Sequence, residues 1–325
     1  GAQITAIGGG CLHNNTGSYN TAVGRDCLIA NTTGASNTGV GCNALNSLTT
    51  GDSHVAVGYL ALEEATTNEN CVAIGKDALR ETTTGSYNVA VGQACLRDNT
   101  TGNNNTAVGN DALKNTTTGS ANSAFGKDTL MANTTGSVNV AVGKEALLSN
   151  TTGARNTAIG AQALDANTTA DDNTAIGYNS LTDNTTGTAN VAVGYQSLDS
   201  NTTASNNTAV GYAAMNTNST GANNTAVGYY ALMANTTASD NTGIGYRALR
   251  SNTTGTSNTA VGYDTLRVST TVSNCTALGY RASEENKTGD SNTGLGSEAL
   301  RENTTGANNT AVGSVSYTHL RAHET

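Results

Sequence analysis

Side chains capable of catalysis or metal binding are few in this sequence, and they stand at positions that vary. Of its four histidines, only His13 and His54 lie in the repetitive part of the chain. No serine, cysteine or carboxylate accompanies them in the arrangement that a triad or a Cys–His pair needs. Aspartate recurs at Asp26, Asp77 and Asp111, but Gln, Ala and Arg fill the equivalent position elsewhere. The sequence therefore predicts no enzyme, no metal site and no cofactor.

Tyrosine is the chemically distinctive side chain that does recur at a fixed interval. Seven tyrosines follow one another every 17 residues without a gap. Flat aromatic rings suit sugars and protein interfaces, so this row is a candidate glycan- or partner-binding stripe. The alternative is that the rings stack on one another and only stabilise the edge on which they lie. The residues of the predicted stripe are Tyr178, Tyr195, Tyr212, Tyr229, Tyr246, Tyr263 and Tyr280.

The tyrosines belong to a longer repeat, N-T-A-V-G-x-x-A-L-x-x-N-T-T-G-x-x, numbered here so that Asn20 is position 1. The repeat runs from residue 20 to residue 308 in 17 periods of 17 residues, with no insertion or deletion. A first coil, Ile4–Tyr19, is one residue shorter. Disordered low-complexity sequence has no reason to keep register over such a length, so the repeat predicts an ordered stack of similar units.

Each period predicts one turn of a β-solenoid. Positions 2 and 4 are mostly Thr, Val or Ile, which predicts a short strand over positions 1–5, and the invariant Gly at position 5 ends it. Seventeen residues are too few for two stacked helices, and the N-T-T-G segment is a poor helix former. The predicted fold is therefore all-β, a parallel β-solenoid of about 18 coils with a 17-residue repeat.

The repeat also sets the predicted domain organisation. The β-solenoid domain covers residues 1–313 and is interpreted as a fragment truncated at both ends. Residues 314–325 abandon the repeat abruptly and are interpreted as a non-native tail, translated sequencing-adapter read-through, so they are excluded from the fold argument. The alternative is a genuine short cap.

The predicted core of each coil is thin. Val or Ile at position 4 and Leu at position 9 are expected to form its buried pair, with the invariant Thr at position 14 pointing inward. Two aliphatic side chains per coil bury too little surface to order 17 residues. Backbone ladders between coils and stacks of identical side chains must therefore contribute, and the asparagines at positions 1 and 12 predict amide ladders.

Position 3 is never larger than Ala. If positions 2 and 4 face the core, position 3 faces outward, and an outward position that accepts only small residues predicts close packing against another copy of the chain. The alternative is that a bent strand tucks this residue inside. The residues of the predicted oligomer face are Ala22, Ala56, Ala73, Ala90, Ala107, Ala141, Ala158, Ala175, Ala192, Ala209, Ala226 and Ala260.

Charge and hydropathy exclude two classes of partner. The net charge is −9 with 12% charged residues, which offers no basic surface to nucleic acid. No apolar run approaches the roughly 18 residues of a membrane span. The acidic pairs Glu63–Glu64 and Glu284–Glu285 are too far apart for a catalytic cluster and are expected on a solvated edge.

The six cysteines are interpreted as small buried substitutes, not a disulfide framework, although Cys11 and Cys27 stand one coil apart and a bridge between them is the alternative. N-x-T sequons recur, for example at Asn133 and Asn184. They would be glycosylation sites in a secreted eukaryotic protein and ladder residues in a bacterium or phage.

The motif N-T-A-V-G-x-x-A, at Asn105–Ala112 and Asn224–Ala231, resembles the S-V-A-I-G-x-x-S repeat of YadA-like heads in trimeric autotransporter adhesins. It is equally similar to repeats in the shafts of phage tail fibres. The resemblance covers residues 4–313 and implies a left-handed parallel β-roll, a homotrimer and an extracellular, cell-surface or virion-surface location. The period is about three residues longer than the usual head repeat, and the N-T-T-G segment carries the excess.

These observations predict a segment of a structural or adhesive surface fibre, acting as a rigid rod and attachment surface for a host glycan or protein. The alternative is an ice-binding β-solenoid, which would need a flat array of threonines. Thr32 and Thr33, at positions 13 and 14, are adjacent and would point in opposite directions, so the sequence favours the fibre.

Overall fold

Short strands and tight turns make up residues 3–315, the part of the chain that the computed structural model describes. Each coil contributes one three-residue strand at positions 2–4, and the described residues contain no helix. The predicted all-β solenoid of stacked coils is confirmed. The strands are β1 (Thr5–Ile7), β2 (Thr21–Val23), β3 (Thr38–Val40), β4 (Val55–Val57), β5 (Val72–Ile74), β6 (Val89–Val91), β7 (Thr106–Val108), β8 (Ser123–Phe125), β9 (Val140–Val142), β10 (Thr157–Ile159), β11 (Thr174–Ile176), β12 (Val191–Val193), β13 (Thr208–Val210), β14 (Thr225–Val227), β15 (Thr242–Ile244), β16 (Thr259–Val261), β17 (Thr276–Leu278), β18 (Thr293–Leu295) and β19 (Thr310–Val312).

The chain forms two compact units, Gly1–Thr169 and Ala170–Thr325, here called unit 1 and unit 2. Within unit 1 each strand from β1 to β10 pairs in parallel with the next, and within unit 2 the strands from β11 to β19 do the same. Equivalent positions face each other at every step, so each position of the repeat forms a column. Of the predicted non-native tail, residues 314–325, all but the first two lie outside the described residues.

The middle residue of each strand points into the coil. Ala107 and Ala124 at position 3 are completely buried, whereas Val108 and Phe125 at position 4 are 37% and 41% exposed. The prediction that position 4 lies in the core is therefore wrong. The prediction for position 9 is confirmed, since Leu113 and its equivalents are completely buried.

The leucine at position 9 explains why only small residues fit at position 3. At Gly243 an added Cβ would stand 3.2 Å from Leu232 Cγ, and at Gly39 it would stand 2.5 Å from Cys27 Sγ and 3.5 Å from Leu28 Cδ1. Alanine fills that space, and a larger side chain would overlap the leucine. The core is thus a single layer of leucines packed against a wall of alanines, and it is too narrow to hold a β-branched residue from the strand as well.

Positive φ angles at four positions of the repeat, 5, 7, 9 and 17, turn the chain at its corners. At position 5, Gly279 has φ of 130° and an added Cβ would lie 2.6 Å from the carbonyl oxygen of Gly296, so only glycine fits. At position 9, Leu130 has φ of 51°. A bulky residue in this region costs about 1–3 kcal/mol, and the complete burial of the leucine side chain offsets it.

Ladders of hydrogen bonds join consecutive coils. On the backbone, Leu113 N–H donates to the Thr129 carbonyl at 3.0 Å and Thr117 N–H donates to the Thr134 carbonyl at 2.9 Å. The hydroxyl of Thr117, at position 13, donates to the same Thr134 carbonyl at 3.2 Å. Thr118, at position 14, is exposed. The prediction that position 14 points inward is therefore wrong, and it is position 13 that bonds to the turn.

Both predicted asparagine ladders are confirmed. At position 1, the Asn122 side chain donates to the Gly136 carbonyl at 2.9 Å and accepts from the Asn139 backbone N–H at 3.0 Å. At position 12, the Asn150 amide donates to the Asn133 side-chain oxygen at 3.0 Å. These asparagines are buried, so each amide satisfies backbone groups that water cannot reach.

Candidate binding surfaces

The predicted tyrosine stripe forms a continuous column on unit 2. Position 6 follows the strand and its glycine, and the constant register of the coils places each of its seven rings beside the next. Successive ring centroids lie 4.9–5.7 Å apart, with interplanar angles of 8–21°. The side chains are 38–47% exposed. The isolated Tyr59 belongs to unit 1 and takes no part in the column.

Stacking uses the faces of these rings. Each inner tyrosine has a ring on both sides at contact distance, so the column presents ring edges and phenol hydroxyls to solvent. This geometry matches the alternative given for the stripe, in which the rings stabilise one another. A sugar face cannot stack on an inner ring without separating it from its neighbour.

An eighth ring widens the column at its middle. Tyr230 packs against Tyr229 at 4.2 Å and edge-on against Tyr212 at 5.6 Å. A hydrogen bond with the Tyr230 phenol raises the pKa of Tyr229. Desolvation, together with the neighbouring phenols, raises the pKa of Tyr212. These hydroxyls therefore remain protonated donors throughout the neutral pH range.

Arginines of the same unit lie against the column. The guanidinium of Arg247 lies 4.8 Å from the Tyr246 ring centroid, and that of Arg281 lies 5.2 Å from the Tyr280 centroid. Both arginines occupy position 7, directly after the tyrosine. These distances are within the range of cation–π attraction.

Two buried carboxylates hold these arginines and their neighbours in place. Arg247 donates from Nε and Nη2 to the two oxygens of Asp264, at 2.7 and 2.6 Å, and the bond raises the pKa of the arginine. Glu284 accepts from Arg267 at 2.9 Å and from Arg301 at 3.3 Å. The Asp264 and Glu284 side chains are only 1% and 4% exposed. The expectation that Glu284 lies on a solvated edge is therefore wrong.

Sequence reasoning missed this cluster, although a signal exists. Arg247 and Asp264 stand one period apart, as do Arg267, Glu284 and Arg301. Opposite charges in one column of a parallel solenoid face each other across consecutive coils, so reading position 7 and position 10 as columns would have found both sets.

The predicted oligomer face at position 3 is wrong in its location. The twelve alanines assigned to it are completely buried within the chain, so they cannot contact another molecule. The residues concerned are Ala22, Ala56, Ala73, Ala90, Ala107, Ala141, Ala158, Ala175, Ala192, Ala209, Ala226 and Ala260.

The outward side of the strands carries positions 2 and 4 instead. Position 4 presents aliphatic side chains to solvent, with Val57 and Val108 both 37% exposed and Ile159 and Leu278 both 39% exposed. Position 2 adds a parallel column of partly exposed Thr and Val. This outer strand face is therefore an ordered surface of methyl groups and hydroxyls along each unit.

The structure separates the sequons into two groups. Asn133 and Asn184, at position 12, are completely buried, and their amide nitrogens donate to the backbone at 3.0 Å. They are ladder residues and are closed to modification in the folded chain. Asn206 and Asn223, at position 17, are exposed.

Free thiols account for all six cysteines. Four of them are buried as expected, whereas Cys11 and Cys42 are partly exposed. The buried ones are Cys27, Cys71, Cys95 and Cys275. Burial raises the pKa of Cys27 and of Cys95 to about 12. These two thiols therefore stay protonated at neutral pH, and a protonated thiol is a poor nucleophile.

Among residues 3–315, no group of three or more His, Cys, Asp or Glu side chains is placed to hold a metal ion. No helix long and apolar enough to cross a membrane occurs among these residues. Comparison of the sequence with models of known protein families finds no match, and comparison with curated proteins finds none either.

Proposed function

We propose that this chain is a segment of a structural or adhesive surface fibre, extracellular on a cell or on a virion, that assembles with copies of itself through its outer strand face. The observation that carries the proposal is the exposed aliphatic column at position 4. Interior columns are nearly constant and join the coils, while outward positions 7, 10 and 11 vary, as does position 6 outside the tyrosine column. Such a division suits a scaffold that displays changing side chains on a fixed frame.

Exposed, continuous apolar surface argues for a partner. Soluble monomers rarely leave ordered columns of Val and Ile in water, and contiguous apolar patches mark interaction sites. A repetitive surface is best matched by an identical one, since the same spacing between coils recurs in each copy. The resemblance to adhesin heads and tail-fibre shafts favours a trimer, and the outer strand face now replaces position 3 as the proposed contact.

Oligomeric state tests this proposal. We expect the full chain to elute with the mass of a trimer in size-exclusion chromatography with light scattering. The double variant Val57→Lys/Val108→Lys places two charges on the outer strand face and should shift the mass to that of a monomer. Gln93→Lys/Asn110→Lys adds the same charge at position 6 and should leave the trimer intact. A monomeric wild-type chain, or a face variant with unchanged mass, would overturn the proposal.

The outer strand face also supports ice binding as a second candidate. Unlike the adjacent threonines at positions 13 and 14, Thr at position 2 and an aliphatic residue at position 4 project from the same side of each strand, as a flat array requires. Thermal hysteresis separates the two functions. The fibre proposal expects none, and appreciable hysteresis that Val57→Lys/Val108→Lys abolishes would establish ice binding in its place.

A further inference from the structure

The later coils of unit 2 carry five arginines at positions 7 and 10, on the same unit as the tyrosine column. The edge that comprises positions 6, 7 and 10 of these coils is here called the arginine–tyrosine edge. Its cationic residues are Arg247, Arg250, Arg267, Arg281 and Arg301. Three of them, Arg247, Arg250 and Arg281, lie over rings of the column, and the guanidinium of Arg250 is 5.6 Å from the Tyr230 centroid.

Burial decides which charges this edge shows to solvent. The side chains of Arg247, Arg267 and Arg281 are 26–32% exposed, whereas those of Asp264 and Glu284 are 1% and 4% exposed. Each carboxylate lies behind the guanidiniums that it holds. The edge therefore presents positive charge outward, because its five arginines outnumber the three carboxylates paired with them and two of those carboxylates are buried.

Acidic residues also border the edge. Glu298 at position 7 pairs with Arg301 at 3.5 Å and is 26% exposed. Glu285 and Glu302 stand at position 11, directly after the position 10 column. Acid therefore follows the positive column at position 11 and interrupts it at position 7 of the last full coil.

The buried carboxylates also fix the geometry of the arginines. A guanidinium has five N–H donors, and Arg247 uses two of them on Asp264. The remaining donors stay directed away from the buried acid in a fixed plane, so little side-chain entropy is lost when they bind an anion. Arg267 is held by Glu284 in the same way through Nε.

Spacing repeats along the edge. Arg247 and Arg281 at position 7 are two coils apart, as are Arg267 and Arg301 at position 10. Two coils correspond to about 9.6 Å when neighbouring parallel strands are about 4.8 Å apart. An extended polysaccharide with an anionic group on every second sugar repeats on the same length scale.

Unit 1 provides the contrast. The cations at its position 10 include Arg80, Arg97 and Lys114. The carboxylates paired with them are 22–23% exposed. The lysines at its position 6 are each paired with the acid that follows, as in Lys127–Asp128 and Lys144–Glu145, both at 3.0 Å. The Asp128 and Glu145 side chains are 18% and 22% exposed, so these pairs present both signs of charge to solvent. No aromatic column accompanies them.

We propose that the arginine–tyrosine edge binds an anionic polysaccharide, a chain of uronate or sulfated sugars, with guanidinium forks on the carboxylates or sulfates and phenol hydroxyls on the sugar hydroxyls. This inference rests on the adhesive part of the proposed function. Bidentate pairing of guanidinium with an oxyanion supplies strength and direction. Single-stranded nucleic acid fits less well, because it binds by stacking bases on aromatic faces and these faces are already occupied.

Binding of the full chain to two anionic sugar probes and two controls tests this edge. Isothermal titration with a heparin dodecasaccharide and with an oligouronate should show binding that weakens as salt rises. Dextran of matched length is the neutral control and should not bind. Oligothymidylate is the nucleic-acid control and should bind more weakly than heparin.

The variant Arg250→Gln/Arg281→Gln is chosen to leave the fold intact. Among the described residues Arg250 forms no ion pair, and Glu284 keeps its bonds to Arg267 and Arg301 when Arg281 is replaced. We expect heparin and oligouronate binding to weaken at least fivefold, with an unchanged thermal melt. Lys127→Gln/Lys144→Gln removes the same charge from unit 1 and should weaken binding less than twofold.

Several outcomes would overturn the inference. The inference is overturned if neither heparin nor the oligouronate binds, or if the two double variants lose the same fraction of heparin affinity. It is also overturned if dextran binds as tightly as heparin, or if oligothymidylate binds more tightly than heparin. Arg250→Lys/Arg281→Lys guards against a folding artefact, since it keeps the charge but removes the forks and should give an intermediate loss. Light scattering of the same samples measures self-association separately. A failure of polysaccharide binding can therefore be distinguished from a failure of assembly through the outer strand face.

Discussion

At the scale of single residues, His54 shows how strictly position 1 is determined. It replaces an asparagine of the ladder, is completely buried, and lies with Nε2 2.9 Å from the Asn68 carbonyl. The Cys71 backbone N–H donates to its Nδ1 at 3.3 Å. A carbonyl can only accept and an amide can only donate, so the ring carries its proton on Nε2 and is neutral. The histidine thereby reproduces both bonds of the asparagine that it replaces.

This arrangement predicts acid sensitivity. Burial lowers the pKa of His54 below its usual value. Between the two pKa values the unfolded chain therefore binds a proton at this residue and the folded chain does not. Stability is therefore full above the unfolded-state pKa of about 6.5 and falls as the pH drops below it, by up to about 1.4 kcal/mol per pH unit until the folded-state pKa is reached. His54→Asn should remove this loss. Urea denaturation of both proteins between pH 8 and pH 5 measures it, and parallel curves would show that His54 is not the cause.

At the scale of the strand, the sequence determined which residues form it but not which way it faces. Alternation leaves two solutions, and the β-branched residues at positions 2 and 4 suggested that these formed the core. The face that points inward is determined by the opposite side of the coil, where Leu232 occupies the space next to position 3 and leaves room only for a small residue there. That leucine reaches its place through a positive φ of 49°, for which its side chain gives no sequence signal.

The asparagine ladders were predictable for the opposite reason. A period without insertions brings identical amides to the spacing of neighbouring strands. This follows from the period alone and does not depend on which face of the strand points to the core. The same logic predicted that the tyrosines form a column, but not that their faces would be used in mutual stacking. Asp264 and Glu284 were missed because each acid sits among varied residues at its position, and only comparison one period away shows its arginine.

At the scale of the whole chain, the 17-residue period keeps the hydrogen-bonding columns of consecutive coils aligned. The first coil is one residue shorter, and its β1 pairs Thr5 with Thr21 in the same register. There the turn reads N-T-G in place of N-T-T-G, and the Asn15 amide still donates to the Gly17 carbonyl at 2.9 Å. The residue it lacks is the exposed Thr of position 14, so the columns that carry hydrogen bonds remain aligned.

Deletion variants test this dependence on register. Removal of residues 225–241 takes out one whole period of unit 2 and joins Asn224 to Thr242, which continues position 1 into position 2. Stability in a repeat stack is a sum of coil and nearest-neighbour terms, so we expect the Tm to fall by less than about 4 °C. Removal of residues 225–240 keeps Asn241 as an extra residue between the ladder and the strand. One buried amide then loses its partners at a cost of about 1–3 kcal/mol, and the Tm should fall at least twice as far. Circular dichroism melts compare the two, and equal melting temperatures would mean that alignment of the columns does not govern the stability of the stack.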